Sequence, residues 1–392
     1  MRAGLYLGLV QWLFALTWTI YVAFLPQLTA GAGIDRKWVV WLLLLDQILF
    51  TVMDLALGVA ADRVAAGMRR LSGPIVTIST LSCLAFLLLP HTASPSFLIG
   101  LVVLWSVTSS ALRAPPMVLI GQYAPPSAAP RLAQLSMVGL GVAGACAPAL
   151  TSALRGMDPR LPFALAGIGL LAAVAAMRWC ERNLAATRAA ATAKSEAAAS
   201  DRSNAVVWGG RLVLVMLLLG LGFQIHTSLN SMPAYLRTHG ATDLTVLMPL
   251  FWVAFALAMA GSNRLLMRFG PWRLLLLATV LGSAALAGVS AADRLGEVIM
   301  AQVAAGAAWA LVLACALPAA IAAGRSGREG RNTGLVFSMM ALAAFLRLAL
   351  VAADLNTTVV VAQSLPWLPA ALWGAASLFC ALGAWREMKV AG

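Results

Sequence analysis

The chain has 392 residues, of which 61% are hydrophobic and only 10% charged, with a formal net charge of +13. A soluble domain carries about 25% charged residues, so this composition excludes an ordinary soluble enzyme or binding module and points to a polytopic membrane protein. The basic excess lies in the connections between apolar runs, which excludes a nucleic-acid-binding patch.

The first apolar run, 4–26, is too long for a signal h-region and no small-residue cleavage site follows it, so it reads as a retained first span. It carries Leu7-Gly8-Leu9 and Gln11, then Thr17, Thr19 and Tyr21. The second run, 38–60, holds Asp46 and Asp54. It is long enough to cross roughly 30 Å of hydrocarbon as a helix. A carboxylate at that depth costs several kcal/mol unless it is paired, hydrated or protonated, so two of them mark a wet interior that moves an ion or solute. Eight residues apart, they lie about 12 Å apart along a helix and about 80° apart around it. They are therefore predicted as two cation-coupling stations at different depths, unable to share one proton; the alternative for Asp46 is that it simply faces water in an open cavity.

Spans 73–90, 96–120, 132–154 and 161–179 follow. The fourth places Arg113 just before Pro115-Pro116, at the depth of Asp54. An Asp54–Arg113 pair, or a water shared between them, is predicted. A carboxylate binds protons less tightly beside a cation and more tightly when desolvated, so making and breaking such a pair picks up and releases a proton. A fixed ion pair that orients two helices is the alternative. Residues 180–207, rich in Ala, Ser and charge, break the pattern and read as a cytoplasmic linker with no apolar stripe wide enough for a core and no catalytic role.

The second half repeats the layout with spans 208–235, 244–265, 272–291, 296–323, 332–353 and 365–385. Span 7 carries Leu219-Gly220-Leu221 and Gln224, an echo of span 1, followed by His226, Thr227, Ser228, Asn230 and Ser231. Six spans, a linker and six spans predict an all-α polytopic membrane protein of twelve transmembrane helices in two pseudo-symmetric six-helix bundles: 1–179, linker 180–207, and 208–392, with the site between repeats. Gln11, Gln224, His226 and Asn230 are predicted solute contacts. A neutral His226 bonded to a neighbouring helix is the other reading. Arg347 in span 11 lies nearer the outer face. If it and Arg113 both face the cavity they can grip a carboxylate or phosphate; the alternative for Arg347 is snorkelling to water. Trp12, Trp18, Tyr21 and Trp309 are either stacking surfaces or packing anchors.

With the N-terminus inside, cytoplasmic segments hold nineteen Lys and Arg and external loops six, so both termini are predicted cytoplasmic and the charge reads as topology and contact with membrane lipids. The five cysteines form no CxxC and read as small buried apolar residues. No methionine run in spans 7 and 8 suits copper, and no metal or cofactor is predicted. Three histidines form no reactive cluster, so an embedded enzyme or a sensor is a remote alternative.

After span 2 comes Gly58-Val-Ala-Ala-Asp62-Arg63, then Gly67-Met-Arg69-Arg70. Here the chain resembles the major facilitator superfamily, whose loop signature these residues match in order with a few extra in the middle. The glycine lets helices approach closely. The resemblance implies that Gly58, Asp62, Arg63, Arg69 and Arg70 form a breakable ion-pair latch at the cytoplasmic lip, and that two bundles rock about a central site. The half-copy Gly261-Ser-Asn-Arg264 lacks the acid. Asp54-Leu-Ala-Leu-Gly58-Val-Ala-Ala-Asp62 is also similar to a run in the glycoside–cation symporters, the melibiose permease group. That similarity implies a coupling-cation role for Asp54. Phe50 stands where that group has an acid, which favours a proton over sodium. Near Pro148 the glycines of the drug-exporter signature are present without its Gly-Pro pair. The expected function is therefore a monomeric, proton-coupled symporter of a small organic solute in a bacterial inner membrane. Proton-driven efflux is the alternative, and a channel fits duplicated halves poorly.

Overall fold

The structure, a computed structural model, describes residues 2–67, 71–125, 127–192, 205–324 and 327–391. Every regular element among them is helical. The first half comprises α1 (Arg2–Gly31), α2 (Val39–Gly67), α3 (Ser72–Leu88), α4 (Pro95–Ser109), α5 (Ala114–Tyr123), α6 (Ala129–Ala153), α7 (Arg160–Ala175) and α8 (Met177–Thr192). The second comprises α9 (Ala205–Ile225), α10 (Ser231–Thr238), α11 (Leu244–Leu247), α12 (Leu250–Phe269), α13 (Pro271–Ala291), α14 (Leu295–Ala323), α15 (Glu329–Ala352), α16 (Val359–Ser364) and α17 (Leu368–Ala391).

Hydrocarbon offers no partner for a free peptide group, so each apolar run closes its hydrogen bonds within itself as a helix. Eleven stretches among the described residues are long and apolar enough to cross a membrane, and Leu368–Leu382 is a shorter apolar helix where the twelfth span is predicted. Prolines open α4 and α13, where a missing N–H costs nothing. Gly270, at φ 73°, lets α12 stop and α13 start without a loop.

The end of the molecule where α1 begins and α2 finishes is termed the base; the opposite end is the rim. The largest apolar cluster draws on both halves of the chain, joining Met117, Ile120, Leu132 and Met137 to Leu266, Leu317, Ile321 and Val336 toward the base. Two further clusters lie toward the rim, and each stays within one half. One is built from Tyr21, Phe24, Phe86, Trp105 and Phe163. The other is built from Tyr235, Leu247, Val289 and Val298. The halves thus share an apolar core toward the base and have separate apolar clusters at the rim, with α6 continuing against Trp252 and α11 of the second half.

The start of the predicted linker packs by a narrow apolar edge against the first half. α8 buries Met177, Cys180 and Leu184 at helical spacing. Between them Glu181 is buried, and its carboxylate accepts from the Leu71 N–H (2.6 Å), the Ser72 N–H (3.3 Å) and the Ser72 hydroxyl (2.5 Å). It caps the free N–H groups that open α3. Residues 180–192 are therefore tied to the first half, while 193–204 lie outside the described residues. All five cysteines are free; four are buried, as expected, and Cys146 is exposed.

Candidate transport site

Asp46, Phe50 and Asp54 recur every fourth residue and so line one face of α2. Ser106, Ser110 and Arg113 form a matching stripe along the broken fourth span. The two stripes meet. Ser106 donates to Asp46 Oδ1 (2.5 Å), and the Tyr21 hydroxyl donates to Asp46 Oδ2 (2.7 Å). Arg113 Nε lies 3.1 Å from Asp54 Oδ1, and the guanidinium sits 4.1 Å from the centre of the Phe50 ring. A terminal nitrogen of Arg113 donates to Ser110 Oγ (3.2 Å). Both aspartates have 0% exposure.

The break in the fourth span aims Arg113. Pro115 and Pro116 cannot extend a helix through residues 111–113, and the chain takes a 3-10 turn at Ser110–Leu112 before α5 begins. Pro116 has no N–H to offer Leu112 four residues back. The Gln11 amide donates to that carbonyl instead (2.7 Å). The Gln11 nitrogen, expected to meet solute, is thus engaged in satisfying a backbone group that would otherwise be orphaned in oil.

The two carboxylates sit in different chemistry. Asp46 has hydroxyl partners only, and hydroxyls both donate and accept, so its network accommodates either protonation state. Trp18, Tyr21 and Trp105 wall it off, with the Tyr21 and Trp105 rings 4.6 Å apart. It therefore does not face open water in this conformation. Asp54 is paired with a cation, yet Arg113 Nε and both Asp54 oxygens lack a well-aligned hydrogen bond. The attraction is Coulombic and poorly directed, so the pair is held less firmly than an aligned one. Residue spacing carries enough signal to find Phe50, Ser106 and Ser110, and Tyr21 stands in the polar cluster of span 1.

In the second half, a π-helical turn at His226–Asn230 interrupts the seventh span. Such turns widen a helix and redirect side chains. His226 Nε2 lies 2.9 Å from Gln302 Oε1, and Gln302 donates to Ser231 Oγ (2.7 Å). With its nitrogen given to Ser231, the Gln302 oxygen accepts from His226. Asn230 donates to the Leu365 carbonyl (2.8 Å). His226 and Asn230 are thus tied to helices of their own half. Gln224 and Arg347 make no hydrogen bond or ion pair among the described residues, and Arg347 Nε is shielded from solvent with no acceptor. Trp309 stacks on Phe223 (4.5 Å), inside the second half.

At the base, Asp62 takes a different partner from the basic cluster expected. Its carboxylate accepts from the N–H groups of Gly330 (2.7 Å) and Arg331 (2.8 Å), at the start of α15 in the other half. The positive end of a helix dipole binds the acid. Gly58, Gly330 and Gly334 make this possible: a Cβ on Gly58 would stand 2.2 Å from the Gly330 carbonyl oxygen, and one on Gly334 would stand 2.5 Å from that of Asp54. Arg63 is exposed beside the latch, and Arg69 and Arg70 lie outside the described residues. A cavity of about 410 Å³ adjoins it, lined by Asp62, Ala65, Gln122 and Glu329 among others. No group of three or more His, Cys, Asp or Glu suited to a metal occurs among the described residues.

The sequence model of the Major Facilitator Superfamily matches residues 7–346. No curated protein sequence matches the chain. Among solved structures, the fold is similar to that of the human organic anion transporter MFSD10 (TETRAN), with a TM-score of 0.73, 13% identity, and 96% of this chain and 98% of that one covered. It is similar also to the transporter FucP in its outward conformation (TM-score 0.64, 12% identity, 96% and 97% covered). A substituted form of the same E. coli fucose:proton symporter matches with a TM-score of 0.64, 11% identity and the same coverage.

Proposed function

Because the chain belongs to the Major Facilitator Superfamily, we propose that it moves a small organic solute by alternating access, in symport with a proton. The family is one of transporters, so the chain is a membrane transporter and not an enzyme. The finer reading is that 1–179 and 208–392 act as two six-helix bundles, with the base in the cytoplasm of a bacterial cell and the solute entering at the rim. The apolar cores support it, being shared at the base and separate at the rim. The likeness to FucP in its outward conformation is consistent with it.

The observation that carries the coupling is the Asp54–Arg113 pair. A buried, poorly directed ion pair is a two-position switch. With the partners together, Asp54 stays ionised. Separating them in the hydrocarbon leaves a bare carboxylate, which costs several kcal/mol unless it takes up a proton. Rocking the bundles alters this contact, since Asp54 also packs through its backbone against Gly334 of the other half. Phe50 gives its ring face to Arg113 where a sodium site needs a second acid. A proton, needing one titratable group, therefore suits the geometry better than sodium.

The test is Asp54→Asn in proteoliposomes with an imposed pH gradient. Uphill accumulation is expected to vanish while solute exchange persists. Undiminished accumulation would remove Asp54 from coupling. Solute leaving against the proton flow would establish efflux instead.

A further inference from the structure

We infer that the solute is an organic anion, and that its charged group docks on Arg347 with Gln224 beside it; this rests on the transporter reading above. Three observations carry it. Arg347 is a guanidinium inside a membrane-spanning helix, five residues before its end at Ala352, on the rim side. Arg347 belongs to none of the ion pairs Lys37–Asp35, Arg113–Asp54 and His239–Asp243, and it has no other ionic partner among the described residues. Its Nε is buried without an acceptor, while the residue keeps part of its surface accessible. A cation in that position is costly to hold without an acid, and among the described residues no acid or hydrogen-bond acceptor offsets it.

The position is also where a ligand would look for partners. α9 and α15 run in the same direction and touch where Gly220 meets Ala343 and Met340. Four residues on from Gly220 is Gln224, and four on from Ala343 is Arg347, so the next turn of both helices brings these two to one level. Gln224 supplies an amide donor without a partner of its own among the described residues. Arg113, the other cation considered for this task, is occupied by Asp54, Phe50 and Ser110. Division of labour follows: the first half holds the proton, and the second holds the anion. A guanidinium presents paired N–H donors that match the two oxygens of a carboxylate or of a phosphate or sulfonate. An inward-moving anion and proton would also cross together with no net charge.

Purified protein in detergent would be titrated with benzoate, 4-toluenesulfonate and phenyl phosphate, each against an uncharged isostere such as benzamide, with thermal unfolding as the readout. At least one anion is expected to raise Tm and its isostere not. Arg347→Gln should weaken that anion at least about tenfold, and Arg347→Lys by less. Without ligand, Arg347→Gln should unfold no earlier than the parent, since it deletes an unsatisfied charge. Equal response to anions and isosteres, equal affinity in Arg347→Gln, or a lower ligand-free Tm in that variant would each overturn the assignment. Proton-driven uptake of an uncharged solute would do so while leaving the transporter reading intact. Absence of any solute flux in proteoliposomes would fail the transporter reading instead.

Discussion

Gln11 illustrates how a polar residue in a span can serve the backbone. Its amide answers the Leu112 carbonyl that Pro116 leaves without a donor. Gln11→Leu should therefore cost about 1–3 kcal/mol, the penalty for one orphaned buried acceptor. A lowered Tm in detergent would register it, and an unchanged Tm would mean water or a local shift satisfies the carbonyl. Asp54 and Arg113 differ in kind, because removing either leaves the other charged and buried. Exchanging the two, Asp54→Arg with Arg113→Asp, should recover part of the fold and transport that each single change loses. No recovery would argue that their separate surroundings, Phe50 and Ser110 above all, matter more than the pair. The sequence exposed both charges. It could not show that Arg113 would lie on Phe50, because that contact depends on how two helices pack.

At the level of elements, two helix starts are capped by acids from distant segments. Glu181 of α8 caps α3, and Asp62 of α2 caps α15. The first lies within one half and should bear on stability. Glu181→Gln is expected to cost about 1.5–3 kcal/mol through weakened charge-assisted bonds, read as a Tm drop without a change in solute affinity. The second joins the halves and should bear on conformational balance. Asp62→Asn should favour opening at the base, seen as faster labelling of a cysteine introduced at Ala65 by a membrane-impermeant maleimide. Labelling at the parental rate would mean that glycine packing alone holds the base shut. Arg63, Arg69 and Arg70 were legible as a motif, and Asp62 as its acid. Its true partner, a helix N-terminus some 268 residues away in sequence, had no local signal.

For the whole molecule, closure depends on how near two backbones can come. Gly58 and Gly330 stand so close that any side chain must part them. Gly330→Leu should hold the base open, abolishing net uptake while leaving the protein folded. Circular dichroism would check the helical content, and labelling at Ala65 would report the opening. If uptake survives, the α2–α15 contact is not the gate. The second half lacks a matching acid on α12, and α6, which the proposed repeat would pair with α15, has no side-chain cap at its start. The base is thus latched on one side by the Asp62 cap, while on the other α6 packs against the second half and Gln134 donates to the Ala314 carbonyl (3.5 Å).

Local patterning determined the number of apolar runs, the two buried acids, the depth of Arg113 and the glycine-acid loop. Those follow from the twenty or so residues a helix needs to cross hydrocarbon, which composition alone reveals. Tertiary structure decided the partners: Tyr21 and Ser106 for Asp46, Gln302 for His226, peptide N–H groups for Asp62, and none among the described residues for Arg347. A buried polar group is specified by what faces it across a helix interface, and residues far apart in sequence set that interface.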